Sequence, residues 1–280
     1  MSVRPVKRML AGDGLNIAAD CYGAPGARAI IFAHGGGQSR TAWRGAARAA
    51  AEAGYYAVSI DLRGHGDSEW ASDGDYHFAA YVRDYAAIIP ALGGEAALVG
   101  ASLGGRAALL MSTTHPRMVA ALALADVTPR IDEDAADDMR EFFHRSAQGF
   151  ATIEEAAHTL ASLTEDKTPS PAVRLLPHLT ERDGRFHWRW DPRFVQERFV
   201  ADPAQLRLLE DSALALTTPT IMIRAELSTV VRAEHVDAFK RSSPHIEARV
   251  AHGIGHMLTG DANDAYAPMI LDFFKRTYPP

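Results

Sequence analysis

The sequence lacks the features of several large classes of protein. Its single cysteine, Cys21, cannot form an internal disulfide, so nothing in the 280 residues requires an oxidising compartment. No stretch approaches the roughly 18 consecutive apolar residues of a membrane span, and no apolar run follows the basic N-terminus to make a signal peptide. We therefore expect a cytoplasmic protein without a membrane partner, in which Cys21 is a small apolar residue of a strand.

The chain also has no excess of basic residues. Lys and Arg number 29 against 35 Asp and Glu, which gives a formal charge of −6. A nucleic-acid binder needs clustered cations to neutralise phosphates, so this balance argues against a nucleic-acid partner. Apolar residues make up 47% of the chain and charged residues 23%, as in a globular protein that buries a sizeable core.

Strand-like and helix-like segments alternate along much of the chain. Runs that are apolar at consecutive positions are typical of strands buried on both faces, and they cover residues 28–33, 55–60, 96–99, 120–125 and 220–223. Helical patterns lie at 41–53 (with Ser39 or Thr41 as N-cap), 78–92, 103–114, 231–242 and 262–276. The alternation predicts an α/β fold with a mostly parallel sheet flanked by helices. The turn Gly12-Asp13-Gly14 predicts a hairpin that adds an antiparallel edge.

The alternation stops between residues 128 and 215, where prolines separate short helical pieces. We predict that this segment is a helical cap, inserted into an α/β core made of residues 1–127 and 216–280. The cap begins with the acidic residues 132–138. We interpret them as the first turn of a helix, whose dipole favours carboxylates there, and not as a metal site.

The segment Gly100-Ala101-Ser102-Leu103-Gly104 lies between a strand-like run that ends at Val99 and a helical pattern. A serine in such a tight turn has a strained backbone and little room around it, which explains the glycines two positions before and after it. The turn presents the hydroxyl at the carboxyl end of the sheet, where open α/β sheets bind their ligands. We predict that Ser102 is a catalytic nucleophile.

A second glycine-rich segment, His34-Gly35-Gly36-Gly37, follows the strand that ends at Ala33. Cleavage of an acyl bond places negative charge on the carbonyl oxygen, and preorganised backbone N–H groups stabilise that charge. The N–H groups of Gly36 and Leu103 are the predicted oxyanion hole. A dinucleotide phosphate loop is disfavoured, because Arg40 stands where the last glycine of Gly-x-Gly-x-x-Gly should be.

A serine nucleophile needs a general base from a later part of the chain. His256 follows the strand-like residues 246–251 and the flexible segment Gly253-Ile254-Gly255, and it is the predicted base. His252 is the nearest competitor, but it lies closer to the strand and lacks the preceding glycines. The two histidines also have the spacing of helical zinc ligands, yet the glycines between them disfavour a helix, so we predict no metal site.

Four motifs stand in an order that resembles the α/β-hydrolase fold family: Phe32-Ala33-His34-Gly35-Gly36-Gly37, Asp61-Leu62-Arg63-Gly64-His65-Gly66-Asp67-Ser68, Gly100-Ala101-Ser102-Leu103-Gly104-Gly105 and Gly253-Ile254-Gly255-His256-Met257. The resemblance covers residues 3 to 275 apart from the cap. It is closest to a subgroup of esterases, lactonases and carbon–carbon bond hydrolases, together with proteins loosely labelled epoxide hydrolases. True epoxide hydrolases and haloalkane dehalogenases attack with an aspartate, so Ser102 argues against both. We interpret Arg63 and Asp67 of the second motif as structural.

The acid that should orient the histidine is not where many relatives have it. After the strand that ends near Arg224 the chain reads Ala225-Glu226-Leu227-Ser228-Thr229, and neither Ser228 nor Thr229 is a carboxylate. Asp126, at the end of the preceding strand, is the predicted acid, and a turn-capping role is its alternative. Glu226 is the second candidate, and its alternative role is an ion pair with Arg224 or Arg232.

These residues together predict a serine hydrolase that cleaves a carboxylic ester or lactone through an acyl-enzyme, with no metal and no organic cofactor. The alternatives on the same scaffold are carbon–carbon bond cleavage, cofactor-free oxygenation, and service as a small-molecule receptor, because fold alone does not define function. The expected partner is a small-molecule substrate with an apolar part, because some of the cap aromatics, Phe142, Phe143, Phe150 and those at 186–194, should line the pocket. A homodimer is compatible with the sequence.

Overall fold

The fold is described from a computed structural model, in which residues 4–163, 168–169, 171–195, 202–255 and 261–280 are described. The strands are β1 (Val6–Ala11), β2 (Asn16–Tyr22), β3 (Ala29–Ala33), β4 (Tyr56–Ile60), β5 (Ala96–Ala101), β6 (Val119–Ala125), β7 (Leu179–Arg182), β8 (Arg185–Trp188), β9 (Thr220–Ala225) and β10 (Glu247–Ala251). The helices are α1 (Arg44–Glu52), α2 (Phe78–Ile88), α3 (Ser102–Thr114), α4 (Glu133–Ala147), α5 (Ile153–Ala161), α6 (Ala172–Leu175), α7 (Pro203–Ala215), α8 (Ala233–Ser242) and α9 (Ala267–Thr277).

The main sheet has the strand order β1-β2-β4-β3-β5-β6-β9-β10. The first two strands are antiparallel to their neighbours, and every later pair is parallel. This confirms the predicted α/β fold class and the antiparallel N-terminal edge. Register places Ala33 beside Gly100, Ala101 beside Ala125, and Ala125 beside Ile223. The residues that follow β3, β5, β6 and β9 therefore meet at one edge of the sheet.

The sheet is buried because helices cover both of its faces. Side chains of β3 alternate between the two sides: Ile30 and Phe32 belong to the cluster that contains α1 and α9, and Ile31 belongs to the cluster on the other face. Both sides of a covered parallel strand need apolar residues, which explains the unbroken apolar runs in the sequence. Cys21 is buried in this core, as predicted.

Helix α1 is capped from a distant part of the chain. The prediction that Ser39 or Thr41 provides the cap is wrong, because a short 3-10 turn, Arg40–Trp43, precedes the helix, and Ser39 makes no side-chain capping bond to that turn. The carboxylate of Asp264 instead accepts hydrogen bonds from the N–H groups of Gly45 (2.9 Å) and Ala46 (2.7 Å). A carboxylate at this position satisfies free N–H groups and opposes the helix dipole.

The segment between β6 and β9 contains α4 to α7 and a small hairpin, β7–β8. Its acidic start is the N-terminus of α4, as predicted, and Asp132 caps it by accepting a hydrogen bond from the Ala135 N–H (3.2 Å). The hairpin is an addition to the predicted all-helical cap. Helix α7 contacts α3 of the core, where Thr113 bonds to Ser212 (3.2 Å). The division at residues 128 and 215 stays a prediction.

None of the helices in the described ranges is long and apolar enough to cross a membrane.

Candidate active site

Ser102 lies at a strained turn between β5 and α3. Its φ is +42°, a left-handed conformation that non-glycine residues rarely adopt and that costs about 1–3 kcal/mol. The crossing of strand and helix leaves no room for side chains: a Cβ on Gly100 would lie 2.4 Å from the Cα of Gly105, and one on Gly104 would lie 2.7 Å from the His34 carbonyl oxygen. The two motif glycines are therefore required by close packing, and they hold the serine at the carboxyl edge of the sheet.

The loop after β3 lies directly beside Ser102. A Cβ on Gly35 would be 3.3 Å from the Cβ of Ser102, and the N–H of Gly104 donates to the carbonyl of His34 (3.2 Å). Leu103 is in the first turn of α3, where N–H groups have no acceptor inside the helix. Neither its N–H nor that of Gly36 has an acceptor among the described residues. Both groups remain predicted oxyanion donors.

Gln38 organises this loop, a role that the sequence reasoning did not assign. Its Oε1 accepts hydrogen bonds from the N–H of Gly35 (2.8 Å) and from Nδ2 of Asn263 (3.2 Å), and its own N–H donates to the Gly35 carbonyl (3.1 Å). Gln38 is 4% exposed and Asn263 is fully buried. The amide thereby joins the glycine loop to the 3-10 helix Asp261–Tyr266, which comes shortly after the predicted base in the sequence.

Asp126 follows β6 and is held at the same edge of the sheet. Its φ is +54° and it is 3% exposed. Its Oδ1 accepts from the N–H of Ala225 (3.0 Å) and its Oδ2 accepts from the hydroxyl of Ser228 (2.6 Å). Ser228 Oγ in turn accepts from the N–H groups of Val230 and Val231, so its single hydroxyl hydrogen is free to donate to Asp126. Both bonds fix the position of the carboxylate.

Ser228, in the neighbourhood where the resemblance led us to expect the acid, donates a hydrogen bond to the carboxylate of Asp126 at the end of the neighbouring strand. The sequence reasoning recognised Ser228 only as a missing carboxylate. Burial raises the pKa of Tyr266, in the 3-10 helix Asp261–Tyr266, and the charge of Asp126 raises it further.

Glu226 has a different environment, with 41% of its side chain exposed. Its Oε2 accepts from the N–H of Gly253 (2.8 Å) and its Oε1 contacts Nδ1 of His252 (3.1 Å). The hydrogen bond from Gly253, followed by that from His252, lowers the pKa of Glu226. The predicted alternative of an ion pair with Arg224 or Arg232 is wrong: Arg224 donates to backbone carbonyls and Arg232 pairs with Asp132. Glu226 binds the turn that leads from β10 to the predicted base.

His256 lies outside the described residues, so its role as general base stays a prediction. The turn before it, at His252 and Gly253, is bound by Glu226, and the 3-10 helix after it is bound by Gln38 and by the N-terminus of α1. No group of three or more metal-ligating side chains occurs in the described ranges.

The Asp61–Ser68 motif is structural, as predicted for Arg63 and Asp67. Arg63 forms a bidentate ion pair with Asp84 (2.6 and 2.8 Å). Arg40 binds Asp20, Asp61 and Asp67 together. The ion pairs of Arg40 connect β2, the end of β4 and the loop after β3.

Two buried histidines lie under the glycine loop, with ring centroids 5.2 Å apart. His34 donates from Nδ1 to the carbonyl of Gly35 (2.7 Å) and accepts at Nε2 from the N–H of Leu62 (3.0 Å). Burial lowers the pKa of His34 to about 4 and that of His65 to about 3. Both are therefore neutral at pH 7, and His34 holds the loop instead of acting in proton transfer.

Aromatic residues of the inserted segment cover the glycine loop. Phe143, Trp190 and Phe194 contact one another edge-on, with centroids 5.5–6.0 Å apart, and Phe194 packs on His65 (4.6 Å). A Cβ on Gly37 would lie 3.3 Å from the ring of Phe143. The side chains that cover the glycine loop are therefore mainly apolar.

The order of the strands, and a serine turn at their carboxyl ends, are those of an α/β protein of hydrolase type. Comparison with known proteins agrees, since the model of the alpha/beta hydrolase fold family matches residues 28–275. The chain belongs to that family, which confirms the resemblance seen in the sequence.

Several curated relatives are named as esterases, lipases or other hydrolases, and one is named as an ethanol acetyltransferase. The chain is 26% identical over 254 residues to the sn-1-specific diacylglycerol lipase ABHD11 of Mus musculus, covering 88% of this chain and 80% of the relative. It is 29% identical over 263 residues to Esterase Rv0045c of Mycobacterium tuberculosis, covering 91% and 84%. The crystal structure of E-2-(acetamidomethylene)succinate hydrolase has the same fold, with a TM-score of 0.81, 22% identity and coverage of 99% and 100%. The protein is a hydrolase of the α/β fold.

Proposed function

We propose that the protein is a serine hydrolase that cleaves a carboxylic ester or a lactone through an acyl-enzyme intermediate. The observation that carries this proposal is the position of Ser102. It lies at a strained strand–helix turn, beside the backbone of the glycine loop and at the first turn of α3. Strain of this kind persists only where surrounding structure imposes it, and it is concentrated at functional sites.

In the proposed reaction Ser102 Oγ attacks the acyl carbon while its proton passes to His256, and the carbonyl π electrons move to the oxygen. The N–H groups of Gly36 and Leu103 stabilise this oxyanion. When the carbonyl re-forms, the bond to the alcohol oxygen breaks and the alcohol takes the proton from His256. Water then attacks the acyl-enzyme by the same route and restores the serine.

Asp126 is the proposed acid that orients His256 and stabilises its cation. It is buried, held by two hydrogen bonds, and situated at the edge of the sheet that presents Ser102. Glu226 is exposed and already bound to His252 and Gly253, which favours a supporting role in that turn.

The substrate is proposed to be a small molecule with an apolar part, because the aromatic group Phe143, Trp190 and Phe194 covers the glycine loop. The names of the relatives, an esterase and a diacylglycerol lipase, agree with ester cleavage. Location in the cytoplasm and a homodimer stay predictions.

The proposal is tested by labelling with a fluorophosphonate and by assay on short p-nitrophenyl esters and lactones. Wild type should be labelled at Ser102, and Ser102→Ala should lose labelling and about 10⁴-fold or more in kcat. Ser72→Ala, a change at an exposed serine, is the matched control and should keep both. Folded wild type that is not labelled would overturn the acyl-enzyme proposal. A Ser102→Ala variant that keeps substantial turnover of a diketone would instead favour carbon–carbon bond cleavage.

A further inference from the structure

Arg106 is a buried cation that the proposed reaction does not use. It lies on α3, one helical turn after Ser102, and only 7% of the residue is exposed. Among the described residues it has no ion pair, and its buried Nη2 has no hydrogen-bond partner. The elements packed around α3 include α2 and α7, whose Asp84 and Glu210 already pair with Arg63 and Arg130.

The other buried arginines among the described residues differ from Arg106, because each of them pairs with carboxylates. Arg40 is 8% exposed and binds three aspartates, and Arg63 is 3% exposed and binds Asp84 through two hydrogen bonds. A buried guanidinium without a carboxylate is costly, because neither water nor a counter-ion replaces its hydration. Burial lowers the pKa of Arg106 only to about 10, so the group is still a cation at pH 7.

Arg106 lies close to the nucleophile along α3. Arg106 is four residues after Ser102, and four residues of an α-helix rise about 6 Å, which a long arginine side chain can span. Long helical side chains also lean toward the N-terminus of the helix, and Ser102 is the first residue of α3. An acceptor for Arg106 would therefore lie within reach of the N-terminal end of α3, where the acyl group reacts in the proposed function.

We propose that Arg106 binds a carboxylate of the substrate, so that the preferred substrates are esters with a free carboxylate, such as half-esters of dicarboxylic acids. This inference rests on the proposed ester-cleaving function and adds the substrate class. The planar guanidinium fork matches a carboxylate through two parallel hydrogen bonds. Binding would supply the counter-charge that the described residues of the free protein do not provide.

The first test compares matched anionic and neutral substrates. Mono-p-nitrophenyl esters of succinate, glutarate and adipate are assayed beside their methyl-capped diesters, with wild type, Arg106→Gln and Arg117→Gln. Wild type should prefer one or more of the half-esters in kcat/KM. Arg106→Gln should lose about 10- to 100-fold on the half-ester, mainly through KM, and keep its rate on the neutral ester. The exposed control Arg117→Gln should behave as wild type.

The second test separates a ligand-binding arginine from a structural one by the sign of a stability change. If no carboxylate of the protein binds Arg106, Arg106→Met should leave the free protein as stable as wild type or raise its Tm, because an uncompensated buried charge is removed. Succinate or glutarate should raise the Tm of Ser102→Ala but not that of the Ser102→Ala/Arg106→Met double variant. Inorganic phosphate serves as the second anion, and a shift with phosphate alone would contradict the carboxylate assignment.

The two proposals fail in different ways. If neither half-esters nor neutral esters are cleaved and Ser102 is not labelled, the ester-cleaving function is wrong. If neutral esters are cleaved through Ser102 without any preference for half-esters, or if Arg106→Gln loses both activities equally, the carboxylate site is wrong. A marked fall in Tm for Arg106→Met would also overturn it, since a carboxylate of the protein would then be the partner.

Discussion

At the scale of single residues, the proposed acid Asp126 lies at the end of β6 and is bound to a residue that follows β9. The hydrogen bond from Ser228 to Oδ2 (2.6 Å) joins the ends of β6 and β9, so the carboxylate of one strand reaches the place that the other strand would supply. The positive φ of Asp126 turns its side chain into this position. Non-glycine residues keep such a conformation only when neighbouring contacts impose it.

Replacing the carboxylate of Asp126 tests this assignment. We expect Asp126→Asn to lower kcat by about 10⁴-fold, because an amide cannot accept both bonds, fix the tautomer of the neutral histidine and stabilise its cation. Glu226→Gln is the matched control and should stay within about tenfold of wild type. Ester kinetics report the rates, and circular dichroism reports folding. The reverse pattern, an active Asp126→Asn and an inactive Glu226→Gln, would assign the acid to Glu226.

At the scale of structural elements, the conformation of the loop after β3 is held by hydrogen bonds of one of its own side chains, Gln38. Gln38 bonds to the Gly35 N–H and to Asn263, and this fixes the backbone that contains the Gly36 N–H. An oxyanion donor is effective only when it is held in place before the reaction. Gln38 is therefore a positioning residue for the proposed oxyanion hole.

We expect Gln38→Met, which keeps the volume but removes the acceptor, to lower kcat by about tenfold to a hundredfold with a smaller change in KM. Asn263→Ala removes only the second hydrogen bond and should cost less. The affinity of a boronic acid, which mimics the tetrahedral oxyanion, should fall in parallel with kcat/KM across these variants. If Gln38→Met lowers Tm but leaves the ratio of boronic acid affinity to product affinity unchanged, the role is purely structural.

Elements with a strong local pattern were predictable, whereas contacts between distant residues were not. The buried strands β3 to β6 and the turn at Ser102 follow from consecutive apolar residues and from closely spaced glycines. The cap of α1 by Asp264, the Gln38–Asn263 bond and the Asp126–Ser228 bond each join residues about 100 or more positions apart. Local patterns hold no information about such pairs. The hairpin β7–β8 was not predicted, because the prolines of its segment were interpreted as separators of short helical pieces.

At the scale of the whole molecule, buried histidines tie the proposed site to the acid stability of the fold. His34 and His65 are fully buried and neutral in the folded protein, with pKa values of about 4 and 3. In the unfolded chain a histidine has a pKa of about 6.5. Between these values the unfolded state binds protons that the folded state does not, so the free energy of unfolding falls as pH decreases.

Above about pH 6.5 both states are neutral at these positions and no such loss occurs. Below it, the slope approaches about 1.4 kcal/mol per pH unit for each histidine until the pKa of the folded state is reached. Urea unfolding of His65→Leu between pH 7.5 and 4.5 should therefore show a shallower acid loss than wild type, since one of the two groups is absent. The exposed control His245→Gln should match the slope of wild type.

Equal slopes for wild type and His65→Leu would mean that His65 takes up its proton in the folded state as readily as in the unfolded one. Its burial beside His34 and Phe194 argues against that outcome, because the loss of hydration of a buried imidazolium outweighs the favourable charges of Asp61 and Asp191.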